Sequence, residues 1–327
     1  MNSSTEKLVI YVRNNIPEKY IEKIKQLGDT VLIEPWIYGE KEPAINHDLT
    51  LCNVVLTLGL HDPLTILDVA PNIQWVQSLS VGMDQLLHQK TIQHDLVITN
   101  TKGCTSIPIA EHTIAMITSL AKGIPTMIHN QQEKRWKEIE VTELTGATVG
   151  IIGYGEIGKE IAKRAKGMDM AVIGCRKRQK KTTKHDPADE VVGLEEMDRV
   201  LREADFLVLA LPSTKETFHL INEEKINKMK PTSYLINIGR GSTIAEPDLL
   251  YALKTKKIRG AALDVFEIEP LPADHPFWSL DNCLISPHNA YYSPKTLERY
   301  MNIFLENLIR FKKGLPLINV VDKKLGY

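Results

Sequence analysis

Short apolar runs rich in β-branched residues recur along the chain and alternate with segments whose apolar positions fall at helical spacing. In the first hundred residues the runs are KLVIYVR, TVLIEP, NVVLTLG, IQWVQSLS and LVITNT, with PEKYIEKIKQLG and DPLTILDVA between them as helices. Such alternation predicts βαβ units and a parallel sheet. From Thr105 a long apolar helical segment, SIPIAEHTIAMITSLAKGI, carries Pro108 in its first turn, where a missing N–H is tolerated. A polar stretch, HNQQEKRWKEIEVTEL, follows. A second series then supplies the strands ATVGIIGYG, MAVIGCR, EVV, FLVLALP, SYLINIG, GAALDVF and NCLISPH. Its helices are EIGKEIAKRAKG, LEEMDRVLREA, NEEKINKMK and AEPDLLYALKTKK. Right-handed crossovers between them make a doubly wound sheet. The last segment places Leu297, Tyr300, Met301, Phe304, Leu305, Leu308 and Phe311 on one helical stripe. The second series has no strand left for it, so it is expected to pack on the first.

At 327 residues the chain exceeds the size at which one core usually keeps growing. Two domains are expected, residues 1–100 with 291–327, and 101–290, the chain crossing near Asn100 and Tyr291. A net charge of -1 gives no field to draw nucleic acid or anionic membrane, so neither is expected as a partner. The start MNSSTEKLVIYVRNN does not read as a signal peptide, and no apolar run reaches about 18 residues, so a cytoplasmic protein is expected. Cys52, Cys104, Cys175 and Cys283 lack metal-ligand spacing and read as reduced thiols, Cys175 being notable for its place beside a glycine-rich turn.

That turn is GYGEIG, Gly153 to Gly158, between a strand and a helix as a dinucleotide-binding motif requires. Gly153 suits the tight turn, Gly155 a close approach to a pyrophosphate, and Gly158 close packing of helix on strand. The phosphates would rest on the free N–H groups of the helix start. A glycine-rich turn with no ligand is the competing reading. About 20 residues on, where an NAD site places a carboxylate, stand Arg176, Lys177 and Arg178. A basic cluster there suits a 2′-phosphate, so NADP is expected over NAD, against the plainer reading of a solvated basic loop.

Three charged residues close the apolar runs SYLINIGRG, GAALDVFEIEP and CLISPHNA: Arg240, Glu269 and His288. Loops at the carboxyl ends of parallel strands converge on one crevice. An arginine, a carboxylate and a histidine delivered there can hold an anion and move a proton. Each also has a plainer role open to it, as an ion-pair partner, a turn cap or a satisfied loop histidine.

With these residues in place, the chain resembles the D-isomer-specific 2-hydroxyacid dehydrogenases along nearly its whole length. The resemblance rests on SVGMD (80–84), IAEHT (109–113), GIIGYGEIG (150–158), LPSTKET (211–217), NIGRG (237–241), ALDVFEIEP (262–270) and SPHNA (286–290), in family order. It implies two doubly wound parallel-sheet α/β domains, a Rossmann cofactor domain inserted in a flavodoxin-like substrate domain. It also implies hydride transfer between NAD(P)H and a small 2-keto acid, of the glyoxylate or hydroxypyruvate kind, in a cleft that closes against water. By resemblance Arg240 binds the substrate carboxylate and 2-oxo oxygen, His288 is the general acid/base, and Glu269 charges that histidine. Asp264 contacts the nicotinamide carboxamide, and Val81 and Gly82 present backbone N–H groups to the substrate. The cofactor set extends to Tyr154, Glu156, Ile157, Leu211, Pro212, Thr217, Ile238, Gly239 and Ala290, with Arg240 and His288. Glu269 departs from the formate dehydrogenases, which carry glutamine there, and PHNAYYS departs from the more usual PHIAG. Ile107–Ile124 resembles the family's dimer-forming region, so a homodimer is expected, a buried interdomain helix being the alternative. Since some members of the wider family are corepressors, a dinucleotide-sensing binding protein is the second functional reading.

Overall fold

The computed structural model describes residues 7–36, 44–57, 63–83, 86–177 and 182–324. The chain divides into two compact units, Met1–Cys104 with Pro294–Tyr327, and Thr105–Ser293.

In the first unit the order is β1 (Val9–Arg13), α1 (Glu18–Leu27), β2 (Thr30–Ile33), β3 (Val54–Thr57), α2 (Pro63–Val69), β4 (Trp75–Ser78), α3 (Gln89–Gln93) and β5 (Val97–Thr99). The strands form a parallel sheet in the order β2-β1-β3-β4-β5, the flavodoxin-like arrangement. All five residues of β1 are buried, as a parallel strand covered on both faces requires. Its alternate residues feed two cores. Ile10 and Val12 meet Tyr20 and Ile24 of α1, while Val9 and Tyr11 meet Leu49, Ile66 and Leu86 on the other face.

The second unit opens with α4 (Ser106–Ala121) and α5 (Ile124–Gln132), then β6 (Thr148–Ile152), α6 (Glu156–Lys166), β7 (Ala171–Cys175), β8 (Glu190–Val192), α7 (Met197–Glu203) and β9 (Phe206–Leu209). It continues with α8 (Glu223–Ile226), β10 (Tyr234–Asn237), α9 (Glu246–Lys254), β11 (Gly260–Leu263) and β12 (Cys283–Ile285). The expected single helix to Ile124 is two. Gly123 takes φ +64 and turns the chain, and a Cβ there would lie 2.5 Å from Ile139 Cδ1. The stretch expected to be merely polar therefore begins in helix, and α5 buries none of its residues.

The seven strands lie parallel in the order β12-β11-β10-β9-β6-β7-β8. Strand order reverses between β6 and β9, the topological switch point at which such sheets bind ligands. Register aligns Ile152 with Leu209, Leu209 with Asn237, Asn237 with Leu263 and Leu263 with Ile285. The loops that follow these residues therefore leave the sheet in one row.

The final helix, α10 (Thr296–Lys312), belongs to the first unit, as its apolar stripe predicts. Tyr300, Met301, Phe304 and Leu308 enter the core beside Ile10 and Val12, and Trp75 sits 5.5 Å from the rings of both Phe304 and Phe311. Asn307, fully buried, donates to Gln77 Oε1 at 3.2 Å and Ile318 O at 3.0 Å, which fixes the helix on the sheet.

Candidate active site

The glycine-rich turn joins β6 to α6 at the switch point. Gly153 has φ +95, and a Cβ there would lie 2.5 Å from Ala210 O at the end of β9, so only glycine fits. Gly158 lets α6 approach the strand, a Cβ meeting Ile151 Cγ2 at 3.2 Å. Gly155 differs. Its φ is negative, and a Cβ would meet only Gly153 O at 4.0 Å. The space beside it is open, over the start of α6, whose Glu156, Ile157 and Gly158 N–H groups find no acceptor among the described residues. Free N–H groups at a positive helix end, with space above a glycine, fit a pyrophosphate.

Tyr154 is drawn away from this space. Its ring packs on Gly174, where a Cβ would come within 2.4 Å, and its hydroxyl accepts the Ala188 N–H at 3.1 Å. Burial pushes its phenol up to about 12. Cys175 is buried too, donates to Gly193 O, and burial raises its thiol to about 11. At the end of β7, Arg176 stacks 5.5 Å from the Tyr154 ring centre and pairs with Asp186 at 3.2 Å. Lys177 pairs with Glu216 at 2.6 Å on the surface. Arg178 lies outside the described residues, as does Asp84 of SVGMD.

Beyond β9, Leu211 and Pro212 lead into a turn closed by Thr217, whose hydroxyl donates to Pro212 O at 2.7 Å. Gly239, after β10, approaches this strand end so closely that a Cβ would lie 2.6 Å from Leu211 O. Ile238 N–H donates to Leu209 O at 3.1 Å. Asn237 shapes the turn, its Oδ1 accepting from Gly239 N–H at 3.1 Å and its Nδ2 donating to Arg240 O at 3.0 Å. Arg240 emerges next, half-buried, with Nη1 donating to Gly239 O at 2.8 Å.

His288 Nδ1 lies 2.6 Å from Glu269 Oε2. The other oxygen, Glu269 Oε1, accepts the Phe266 N–H at 2.9 Å. Burial alone would push this carboxyl up. The His288 hydrogen bond, the Phe266 N–H and the charges of His288 and Arg240 outweigh it, holding the group below the usual carboxylate range. Glu269 and His288 are thus brought together, and the Arg240 charge acts on the same carboxylate. His288 adopts φ +48, an uncommon conformation for a side-chain-bearing residue.

Asp264 holds that conformation. It is buried, its own carbonyl accepts the His288 N–H at 2.8 Å, and its carboxylate accepts from Asn289 and Ala290 N–H, each at 3.1 Å. Ser286 Oγ donates to it at 2.5 Å and lies 3.0 Å from His112 Nε2 of α4. His112, Ser286 and Asp186 are residues the sequence reading left without a role. The first two stand in quoted motifs; for Asp186 a single sequence offers no signal. Val81 and Gly82 lie in the first unit, in the loop after β4, and neither N–H is taken by an acceptor among the described residues. No group of three or more His, Cys, Asp or Glu among the described residues could hold a metal ion, and no described helix is long and apolar enough to cross a membrane.

A glycine-rich turn with open N–H groups at the switch point, and an arginine and a carboxylate–histidine pair in the loops after β10, β11 and β12 of the same sheet edge, are the features a dinucleotide-dependent oxidoreductase site would need. The comparisons with known proteins agree. Residues 114–290 match the family model for the NAD-binding domain of D-isomer-specific 2-hydroxyacid dehydrogenases. A glyoxylate reductase of Korarchaeum cryptofilum is 32% identical over 97% of this chain and 96% of its own. Among solved structures, a D-isomer-specific 2-hydroxyacid dehydrogenase of Xanthobacter autotrophicus, in complex with NADPH, has a TM-score of 0.84 at 26% identity, covering 98% of this chain and 100% of that one. An NADPH-dependent glyoxylate/hydroxypyruvate reductase of Sinorhizobium meliloti, in complex with NADP, has a TM-score of 0.83 at 25% identity, with 98% and 100% covered. The chain belongs to the D-isomer-specific 2-hydroxyacid dehydrogenase family. It is an NAD(P)-dependent enzyme that interconverts 2-keto and 2-hydroxy acids.

Proposed function

We propose that the protein reduces a small 2-keto acid, glyoxylate or hydroxypyruvate, to the D-hydroxy acid with NADPH in preference to NADH. The observation that carries the chemistry is the 2.6 Å pair between His288 Nδ1 and Glu269 Oε2, with the Arg240 charge acting on the same carboxylate. When bound, the reduced nicotinamide supplies hydride to the carbonyl carbon. Arg240 holds the substrate carboxylate and the 2-oxo oxygen, which its planar fork of donors suits. His288 Nε2, without a partner among the described residues, gives the proton to that oxygen, so the C=O bond becomes C–H and O–H. Glu269 accepts from Nδ1 and so fixes the ring orientation and the nitrogen that carries the transferable proton. The free N–H groups of Val81 and Gly82 are the first unit's candidates for the substrate carboxylate, and Asp264 for the nicotinamide carboxamide. The first unit is taken as the substrate domain and the second as the cofactor domain.

The substrate choice is supported by the glyoxylate reductase relatives. NADP is supported by Arg176 and Lys177 at the end of β7 and by the NADPH and NADP complexes of the two structural neighbours. Asp186 takes part of the Arg176 charge, so a modest preference is expected. A homodimer is supported by exposed Met127, Ile128, Trp136 and Val141 on and after α5, a run of apolar surface that a second copy would cover. The four thiols are free, and burial raises each, which suits a reducing cytoplasm. The test is nicotinamide absorbance with a panel of 2-keto acids and both cofactors. Turnover of glyoxylate and hydroxypyruvate, with a higher kcat/KM for NADPH, is expected. Tight NADPH binding without turnover of any panel member would instead identify a sensor.

A further inference from the structure

Glu246 stands six residues after Arg240, at the start of α9, and takes no part in the proton transfer above. Its carboxylate reaches across to the neighbouring loop, where Oε1 accepts the Glu267 N–H at 2.8 Å. The N–H one residue earlier, that of Phe266, is the one that holds Glu269 Oε1. Successive peptide groups of one loop are therefore taken by two carboxylates, one belonging to the reacting pair and one rooted in the arginine-bearing segment. The two segments also meet at backbone level, since a Cβ on Gly241 would lie 1.9 Å from the Phe266 carbonyl carbon.

The other groups facing Glu246 come from two further loops. His275 Nε2 lies 3.6 Å from Oε2, and the Glu267 carboxylate is bound by His219 Nε2 at 2.7 Å. The His219 ring stacks on Phe218 with centres 3.9 Å apart. Burial pushes the Glu246 carboxyl up and the Glu267 charge adds to this, while the Glu267 N–H and the two histidines oppose it. A largely buried carboxylate beside another carboxylate is a poor choice for packing alone. Its value lies in the N–H it accepts.

We propose that Glu246 is a positioning residue, which ties the loop carrying Glu269 to the segment carrying Arg240 and thereby sets the Glu269–His288 hydrogen bond. The inference rests on the roles given above to Arg240, Glu269 and His288. A misplacement of about 1 Å in such a pair costs on the order of a hundredfold in rate.

The test is steady-state reduction of glyoxylate and hydroxypyruvate with NADPH by the full chain and by Glu246→Ala, Glu246→Gln, Glu269→Gln and the Glu246→Ala/Glu269→Gln double variant. Glu246→Ala is expected to lower kcat by about tenfold or more with the KM for NADPH unchanged. Glu246→Gln keeps an oxygen for the Glu267 N–H and should return kcat to within about threefold of the parent. In the Glu269→Gln background, Glu246→Ala should cost less than about twofold, because the group it acts through is gone. Should Glu246→Ala not fold, Glu246→Met, which keeps the bulk without the acceptor, is read in the same way. Parental kcat in Glu246→Ala, failure of Glu246→Gln to rescue, or an undiminished loss in the Glu269→Gln background would each overturn the role. Full activity in His288→Gln would bring down the catalytic assignment itself. An inactive His288→Gln beside a fully active Glu246→Ala would bring down this inference alone.

Discussion

Two glycines of one turn should respond in opposite ways to the same added methyl group. At Gly153 a Cβ would lie 2.5 Å from Ala210 O and 2.7 Å from Ala210 C, both backbone atoms, and φ is +95. Strain at positive φ costs about 1–3 kcal/mol, and overpacking against atoms that cannot swing away costs about as much again. Gly153→Ala should therefore lose about 2–6 kcal/mol of stability. At Gly155 the backbone is extended and the nearest atom is Gly153 O at 4.0 Å. The folded protein has room, and Gly→Ala at a compatible site stabilises by about 0.4–1 kcal/mol through the unfolded chain. If that room is the pyrophosphate cradle, the methyl group and the phosphates compete for it, and NADPH affinity should fall by about ten- to a hundredfold, or about 1.4–2.8 kcal/mol. Thermal denaturation without cofactor and NADPH titration by nucleotide fluorescence separate the two effects. Gly155→Ala with parental stability and parental NADPH affinity would refute the cradle. Gly153→Ala with parental stability would refute the close approach of the two strand ends.

Four further outcomes follow from the same geometry. His288→Gln should lower kcat by a factor on the order of a hundred or more, measured by steady-state kinetics at saturating NADPH. Arg176→Ala should reduce the NADPH/NADH ratio of kcat/KM by about fivefold or more if the guanidinium serves a 2′-phosphate; an unchanged ratio removes Arg176 from that role. Asp264→Asn places an amide against N–H donors of Asn289 and Ala290, so stability should drop by about 2–4 kcal/mol in urea denaturation and kcat should fall with it. Asp198 is held at about 2, chiefly by hydrogen bonds from Lys225 and Lys228 and against a partial opposing effect of burial. Its folded value is depressed, so its contribution is full above about pH 4 and lost as pH falls towards 2. Because the pair is over a third exposed on the Asp198 side, that contribution is on the order of 1 kcal/mol or less. The stability gap between Asp198→Asn and the parent should close over that acid range.

What was legible in the sequence is what periodicity and strand-end position encode. Strand β1 and the stripe on α10 were readable because a parallel sheet with both faces covered demands unbroken apolar runs, and a covering helix demands apolar residues at 3.6-residue spacing. The row of loops holding Gly153, Arg240, Asp264 and His288 follows from the same fact, since parallel strands in register end together and whatever comes next shares an edge. Pairings between residues distant in sequence were not legible. Nothing local marks Asp186 as the partner of Arg176, ten positions away across a loop, or Glu246 as the acceptor for Glu267. Tyr154 shows the limit most clearly. It lies inside the motif, yet its side chain fills the space that Gly174 leaves on the neighbouring strand and faces away from the turn. In GYGEIG the glycines set a tight backbone turn with open space at Gly155, while the intervening tyrosine serves the core. A motif that specifies backbone geometry therefore assigns no role to the side chains between its glycines. Each of those must be placed by what it packs against: here Gly174 and Ala188 for Tyr154, open space for Gly155, and Ala210 for Gly153.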